Sequence, residues 1–300
     1  MQYAFSRGNM LRLWIAAAVL PAASAASAQS NWTGFYLGVN GFGARDRLRA
    51  SDTLLITQIS NLQVNGRGLV VVPGTTLPLS ATGHKTNADF GAQLGFQWQS
   101  GAFVFGAEAD GDPFRHTVSA SQTQQLPPTA LTPVTTIAST REVQMDRLWS
   151  VRARAGLAFG NSLVYATGGY ASARLSAFGI DSFTNPGGPA ATCTPNCQAN
   201  FGPEGPNTTT SSNARGTVGG WRAGLGVDQR LGRHFSIGLE YLHTAFAAHN
   251  LTFQSTVTSF PGPFTHDNNG ATGVHGQVLT AATRVALTTD AIGLRLNFRF

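Results

Sequence analysis

Along the C-terminal segment, Asp290 to Phe300, apolar and polar side chains alternate strictly. Ile292, Leu294, Leu296, Phe298 and Phe300 fall on one face, and Ala291, Gly293, Arg295, Asn297 and Arg299 fall on the other. A period of two is that of a β-strand whose faces meet different surroundings. The split recurs upstream. Phe235, Ile237, Leu239 and Tyr241 oppose Ser236, Gly238 and Glu240, while Trp221, Ala223, Leu225 and Val227 oppose Arg222, Gly224, Gly226 and Asp228. Trp149, Val151, Ala153, Ala155, Leu157 and Phe159 oppose Arg152, Arg154 and Gly156, and Phe90, Ala92, Leu94, Phe96 and Trp98 oppose Gln93 and Gln97. The pattern predicts eight strands, at 33–44, 86–99, 102–110, 146–159, 162–177, 217–231, 234–246 and 284–300.

The connections alternate in length. Ser100-Gly101, Gly160-Asn161 and Gly232-Arg233 read as tight turns of hairpin type. Segments 45–85, 111–145, 178–216 and 247–283 are long and rich in Ser, Thr, Asn, Pro and Gly, and read as loops. Within them, Val/Thr-rich parts such as Gly68 to Val72 are candidates for strands that extend above a membrane. An even strand count with this asymmetry predicts an all-β fold: an eight-stranded antiparallel transmembrane β-barrel with short periplasmic turns and four long extracellular loops. Phe35, Trp98, Phe103, Phe159, Phe235, Phe298 and Phe300 then lie near the periplasmic strand ends, as an interfacial girdle requires. A soluble β-sandwich also alternates and buries aromatics. It would not usually set bare Gly and Arg opposite every apolar face.

Composition narrows the class further. The chain has 300 residues, 42% of them hydrophobic and only 11% charged, where a soluble domain carries roughly 25% charged residues. An ordinary cytosolic enzyme is disfavoured. No stretch reaches the ~18 apolar residues of a membrane helix, which disfavours a helical membrane protein. Arg7 and Arg12, the apolar run Leu13 to Leu20 and the small residues Ala26-Ser27-Ala28 read as a secretory signal peptide over 1–28, which leaves a barrel domain over 29–300. Removing the leader takes away two Arg and no acid, so the net charge falls from +6 to +4. That charge is spread thinly, with no basic run suited to nucleic acid.

The segment Asn31-Trp32-Thr33-Gly34-Phe35-Tyr36-Leu37-Gly38 resembles the WTGFY-type first strand of small outer-membrane proteins of alphaproteobacteria, a group described as porin-family or OmpA-like barrel proteins. Leu294 to Phe300 resembles their terminal strand. The resemblance implies an eight-stranded barrel in the bacterial outer membrane, acting as an envelope component or surface antigen. It also implies that Phe298 and Phe300 form the signal read by the outer-membrane assembly machinery. The surroundings would be outer-membrane lipid and lipopolysaccharide. What the loops bind stays open between adhesion, phage reception and immune exposure.

An eight-stranded barrel is just wide enough for its own side chains, whereas open porins use about 16 to 18 strands. The lumen face carries Arg152, Arg154, Arg222, Arg230, Arg295 and Arg299 against Glu108, Asp110, Asp228 and Glu240. Charges in so narrow a space must pair or stay wet. Strand register sets Glu108 beside Arg152 and Arg154, and Glu240 beside Arg295. Two readings follow: a plug of structural ion pairs, or a gated path for small ions or solutes with these pairs as the gate.

Other chemistry is sparse. Cys193 and Cys197, the only two cysteines, are expected to form a disulfide in an oxidising exterior. The seven His are scattered, mostly in or beside the expected loops, without the clustering of a zinc site. No metal and no cofactor are therefore expected. The competing class is an enzymatic barrel such as a lipid A deacylase, whose activity uses a His and a Ser two residues apart. Here His243 is followed at that spacing by Ala245, and no Ser/His/acid set falls on adjacent strands. No catalytic residues are expected.

Overall fold

The computed structural model describes residues 31–61, 70–126, 135–184, 191–193, 197–199, 208–259 and 274–300. The expected signal peptide lies outside them. Eleven strands follow in chain order: β1 (Gly34–Asn61), β2 (Val70–Ser100), β3 (Phe103–Leu126), β4 (Thr135–Phe159), β5 (Ser162–Thr184), β6 (Ala191–Cys193), β7 (Cys197–Ala199), β8 (Thr208–Leu231), β9 (Phe235–Phe246), β10 (His249–Ser259) and β11 (Val274–Arg299). Every pairing is antiparallel, in the order β1-β2-β3-β4-β5-β8-β9-β11, and β11 returns to β1. The sheet thus closes into a ring of eight strands. After a break at Ala247 and Ala248, β10 continues the path of β9 along the upper half of β11. β6 and β7 form a separate two-stranded hairpin.

At one end the strands are joined by tight turns. Gly101, Gly160 and Gly232 sit there at φ 59°, 58° and 84°, a left-handed region that glycine enters without the Cβ penalty. At the other end the strands run much further than alternation in the apolar face alone predicts. The expected loops 45–85, 111–145, 178–216 and 247–283 are strand over 45–61, 70–85, 111–126, 135–145, 178–184, 208–216, 249–259 and 274–283. Their remaining parts, apart from β6 and β7 and the break beside Ala247, lie outside the described residues.

The reason is an inversion of pattern along the barrel. In the lower half the outward face is apolar and the inward face polar. Two exposed aromatic rings bound it, with Phe35, Trp98, Phe103, Phe159, Phe235, Phe298 and Phe300 near the turns and Phe90, Trp149, Tyr170, Trp221 and Tyr241 above. Phe159 and Trp149 on β4 are about ten residues apart, close to the ~9–11 that a tilted membrane strand needs. A soluble sandwich would hide this band. Above the upper ring the outward face turns polar, with Arg45, Arg47, Arg49, Arg147, Arg174 and Arg215 exposed. The inward face becomes apolar instead: Leu48, Val118, Val143, Met145, Leu175, Val218, Leu251, Val285 and Leu287 form one buried cluster. Burying that face helps hold the projecting strands together, because the β2–β3 ladder stops at Ala92–Gly111 and the β8–β9 ladder at Gly220–Phe246. On β4 a bulge between Asp146 and Trp149, with Arg147 at φ 53°, moves the inward position from Met145 to Leu148.

Candidate functional site in the lumen

The site begins with the inward residues of β3 and β4. Glu108 and Arg152 are register partners, and Arg152 Nη2 donates to Glu108 Oε1 at 2.6 Å. On the far side, Arg295 Nη1 of β11 donates to Glu240 Oε1 of β9 at 2.8 Å. The two pairs are joined across the lumen, because Arg295 Nη2 also reaches Glu108 and Arg152 Nη1 reaches Glu240 Oε1 at 3.3 Å. β3 and β11 are three positions apart in the ring, as are β4 and β9. These contacts therefore fill the bore rather than line it. All four side chains are at most 2% exposed.

Around this quartet the remaining charges pair off. Arg154 bridges to Asp228 and also lies 3.7 Å from Glu108. Arg222 Nη1 donates to Asp110 Oδ2 at 2.7 Å, and Arg152 Nε to Asp110 Oδ1 at 3.1 Å. Four arginines face four carboxylates. Such an arrangement is tolerated in a low-dielectric interior only with near-complete pairing. Arg299 is not part of it. Its Nη1 donates to the Trp32 carbonyl at 2.9 Å and its guanidinium lies 4.7 Å from the Trp32 ring, at the turn end of the lumen. Arg230 is also at the turn end, donating to the Arg233 carbonyl at 2.6 Å.

Two tyrosines complete the plug, and alternation alone does not single them out. Tyr36 Oη donates to Glu108 Oε2 at 2.6 Å, and Tyr165 Oη accepts from Arg295 Nη1 at 3.0 Å and donates to Glu240 Oε1 at 3.2 Å. Arg154 stacks on the Tyr165 ring at 3.3 Å. Both rings lie over glycines, Tyr36 on Gly95 and Tyr165 on Gly226, where a Cβ would overlap them. The inward Gly positions of the alternating pattern are thus the slots for these rings. Gln93 Nε2 donates to Asn297 Oδ1 at 2.7 Å on the β1 side of the bore.

A second polar group sits higher, above the ring of Trp149 and Tyr170 and outside the membrane-spanning segments. His116 on β3 is 2% exposed, and its Nδ1 donates to Asp46 Oδ2 at 2.8 Å. Asp89 Oδ1 lies 2.5 Å and Asp112 Oδ2 3.9 Å from His116 Nε2. Burial pulls the His116 pKa down, but the contacts with Asp46 and Asp89 outweigh it and lift the pKa to about 10. Alternation in the apolar face places His116 within the expected loop 111–145; the structure instead continues β3 through it and brings Asp46 of β1 and Asp89 of β2 to its ring, so the gathering is of acids around one His.

A family model for the outer membrane protein beta-barrel domain matches residues 15–300. The chain belongs to that family. As a member it is a protein of the bacterial outer membrane. No curated protein matches the sequence of this outer-membrane barrel. Among solved structures it is similar to OprG from Pseudomonas aeruginosa, at 12% identity over 91% of this chain and 99% of that one, with a TM-score of 0.34. It is also similar to the outer membrane protease OmpT from Escherichia coli, at 10% identity over 88% and 97%, with a TM-score of 0.34. The attachment invasion locus protein Ail of Yersinia pestis matches at 11% identity over 81% and 98%, with a TM-score of 0.24.

The other residues singled out from the sequence lie outside the lumen of this outer-membrane barrel. Phe298 and Phe300 are 40% and 76% exposed and meet edge to face at 5.2 Å, while the Phe300 N–H donates to the Phe35 carbonyl at 3.1 Å and so closes the ring beside β1. Cys193 and Cys197 are register partners in the β6–β7 hairpin. His243 faces outward at the upper aromatic ring, with Nδ1 donating to Asp290 Oδ1 at 2.7 Å; Tyr241 donates to the same oxygen at 2.7 Å.

Proposed function

We propose that this outer-membrane barrel is a closed envelope protein with a structural and surface-presenting role, its short turns in the periplasm and its projecting strands outside the cell. The observation that carries this is the double closure of the bore. The Glu108, Arg152, Glu240 and Arg295 quartet spans it at mid-height, and the apolar cluster around Leu48, Val118 and Val285 fills it above. An ion passing through would have to break buried pairs and then cross a dry apolar layer, both costly steps. The projecting strands carry the recognition surface, and exposed Arg147, Arg174 and Arg215 just above the upper aromatic ring suit the phosphates of lipopolysaccharide. The small alphaproteobacterial barrels that the first and last strands resemble offer an analogue of such a role. Steady conductance of refolded protein in a planar bilayer would contradict this reading.

The charged lining favours one second reading, a narrow path for small ions gated by the same pairs. The two readings separate on single-residue changes: a gate responds in conductance, a plug in stability. No reaction is assigned, because the lumen acids and bases are spent on one another and the outward His243 has Ala245 where a deacylase would need its nucleophile. Unchanged lipid A in cells that express the protein is the expected result, and deacylated lipid A would contradict it. Cys193 and Cys197 are proposed to be bonded, since opposed residues of an antiparallel pair lie about 4.5–5.5 Å apart at Cα, within disulfide reach. Alkylation without reductant, read by mass, tests it.

A further inference from the structure

We propose that His116, Asp89 and Asp112 form a binding site for a divalent transition cation such as zinc at the top of the lumen. One potential ligand atom from each lies within 4.8 Å of the others, and they come from neighbouring strands β2 and β3. Clusters of this kind are common without an ion, and this one is distinguished by how its centre is built. His116 Nε2 and Asp89 Oδ1 are buried and pair with each other at 2.5 Å, and neither atom makes a hydrogen bond beyond that pair among the described residues.

The opposite side of the imidazole is fully organised. His116 Nδ1 donates to Asp46 Oδ2, which fixes the tautomer that presents Nε2 to the cluster. Asp46 is in turn held by Thr289 Oγ1 at 2.6 Å and by Asn87 Nδ2 at 2.7 Å. A carboxylate behind a ligating imidazole, itself held by hydrogen bonds, is the supporting shell that metal-binding histidines use. Around the imidazole stand three carboxylates, Asp46, Asp89 and Asp112. Oxygen donors of this kind beside one imidazole suit a divalent transition ion.

The fit needs one small movement. Two ligands each ~2.1 Å from a tetrahedral ion stand about 3.4 Å apart, so Asp89 must withdraw from His116 by roughly 1 Å, whereas Asp112 is already near its place. One nitrogen and two carboxylate oxygens leave a position for water. Without metal, His116 Nε2 and Asp89 Oδ1 hold each other as a pair, and a bound cation would stand between the same groups.

The test is zinc binding by the full chain refolded in detergent, with metal supplied during refolding because the cluster is enclosed. The expected result is one zinc per barrel. Affinity should fall at least tenfold in His116→Gln and in Asp89→Asn, checked for folding by heat-modifiable mobility. X-ray absorption at the zinc edge of the unmutated protein should show one imidazole with oxygen ligands, a readout that needs no variant to fold. Absence of saturable binding, unchanged affinity in both variants, or a zinc spectrum without imidazole would each overturn the site.

Discussion

Arg295 on the last long strand reaches across the lumen to Glu108, 187 residues earlier in the chain, and the same guanidinium donates to Glu240 on the adjacent strand at 2.8 Å. One side chain thereby ties three strands of the ring. Removing a single acid from such a group leaves a buried positive charge underpaired.

Glu240→Gln is expected to destabilise the refolded barrel by on the order of 3 kcal/mol, because Arg295 and Arg152 both lose a carboxylate partner. Pairing it with Arg295→Met should recover part of the loss. The check is a double-mutant cycle from denaturant unfolding, and coupling below roughly 0.5 kcal/mol would contradict the pairing.

Stability should fall as pH rises through the His116 range. Its folded pKa is raised from 6.5 to about 10, so the stabilisation is fully present below about 6.5 and is lost as pH climbs toward 10. Each pH unit in that window costs up to about 1.4 kcal/mol. Urea midpoints in the presence of chelator should show this slope, and His116→Gln should flatten it.

Gly95→Ala and Gly226→Ala are expected to push Tyr36 and Tyr165 out of the plug, since a methyl group at either position overlaps the ring. A loss of about 1–3 kcal/mol is typical of such overpacking. Gly111→Ala, which meets nothing within 4 Å, is the matched control and should be near neutral.

Replacing Phe298 and Phe300 with Asp should leave the protein out of the outer membrane. The change puts charge in the lower aromatic ring and removes the edge-to-face contact. Heat-modifiable protein at normal levels in the outer-membrane fraction would contradict the role given to these residues.

Alternation made the lower half of the barrel legible, because lipid outside and charge inside print opposite residue types on the two faces. Register then set Glu108 opposite Arg152, while Glu240 and Arg295 lie diagonally on neighbouring strands, each opposite a glycine, and meet through the length of their side chains. The contacts of Arg295 with Glu108 and of Arg152 with Glu240 were not legible, since they cross the bore between strands that share no ladder. The upper strands were hidden for a different reason. Their outward Arg, Ser and Thr resemble a loop by composition, and the inward run of Leu48, Val118, Val143 and Val285 shows only once the faces are separated. His116 was missed for the same reason. Its partners Asp46 and Asp89 are 70 and 27 positions away, and only the continued strands bring them together.

Closure of the bore is the central claim, and single-channel recording in a planar bilayer tests it most directly. Unmutated, refolded protein should give no steady conductance. Truncating both layers, with Glu108, Arg152 and Arg295 to Ala and Leu48 and Val118 to Ser, should open a measurable path in protein that still shows heat-modifiable mobility. Steady conductance from the unmutated barrel, altered by Glu240→Gln without loss of stability, would contradict the plug and establish a gate in its place.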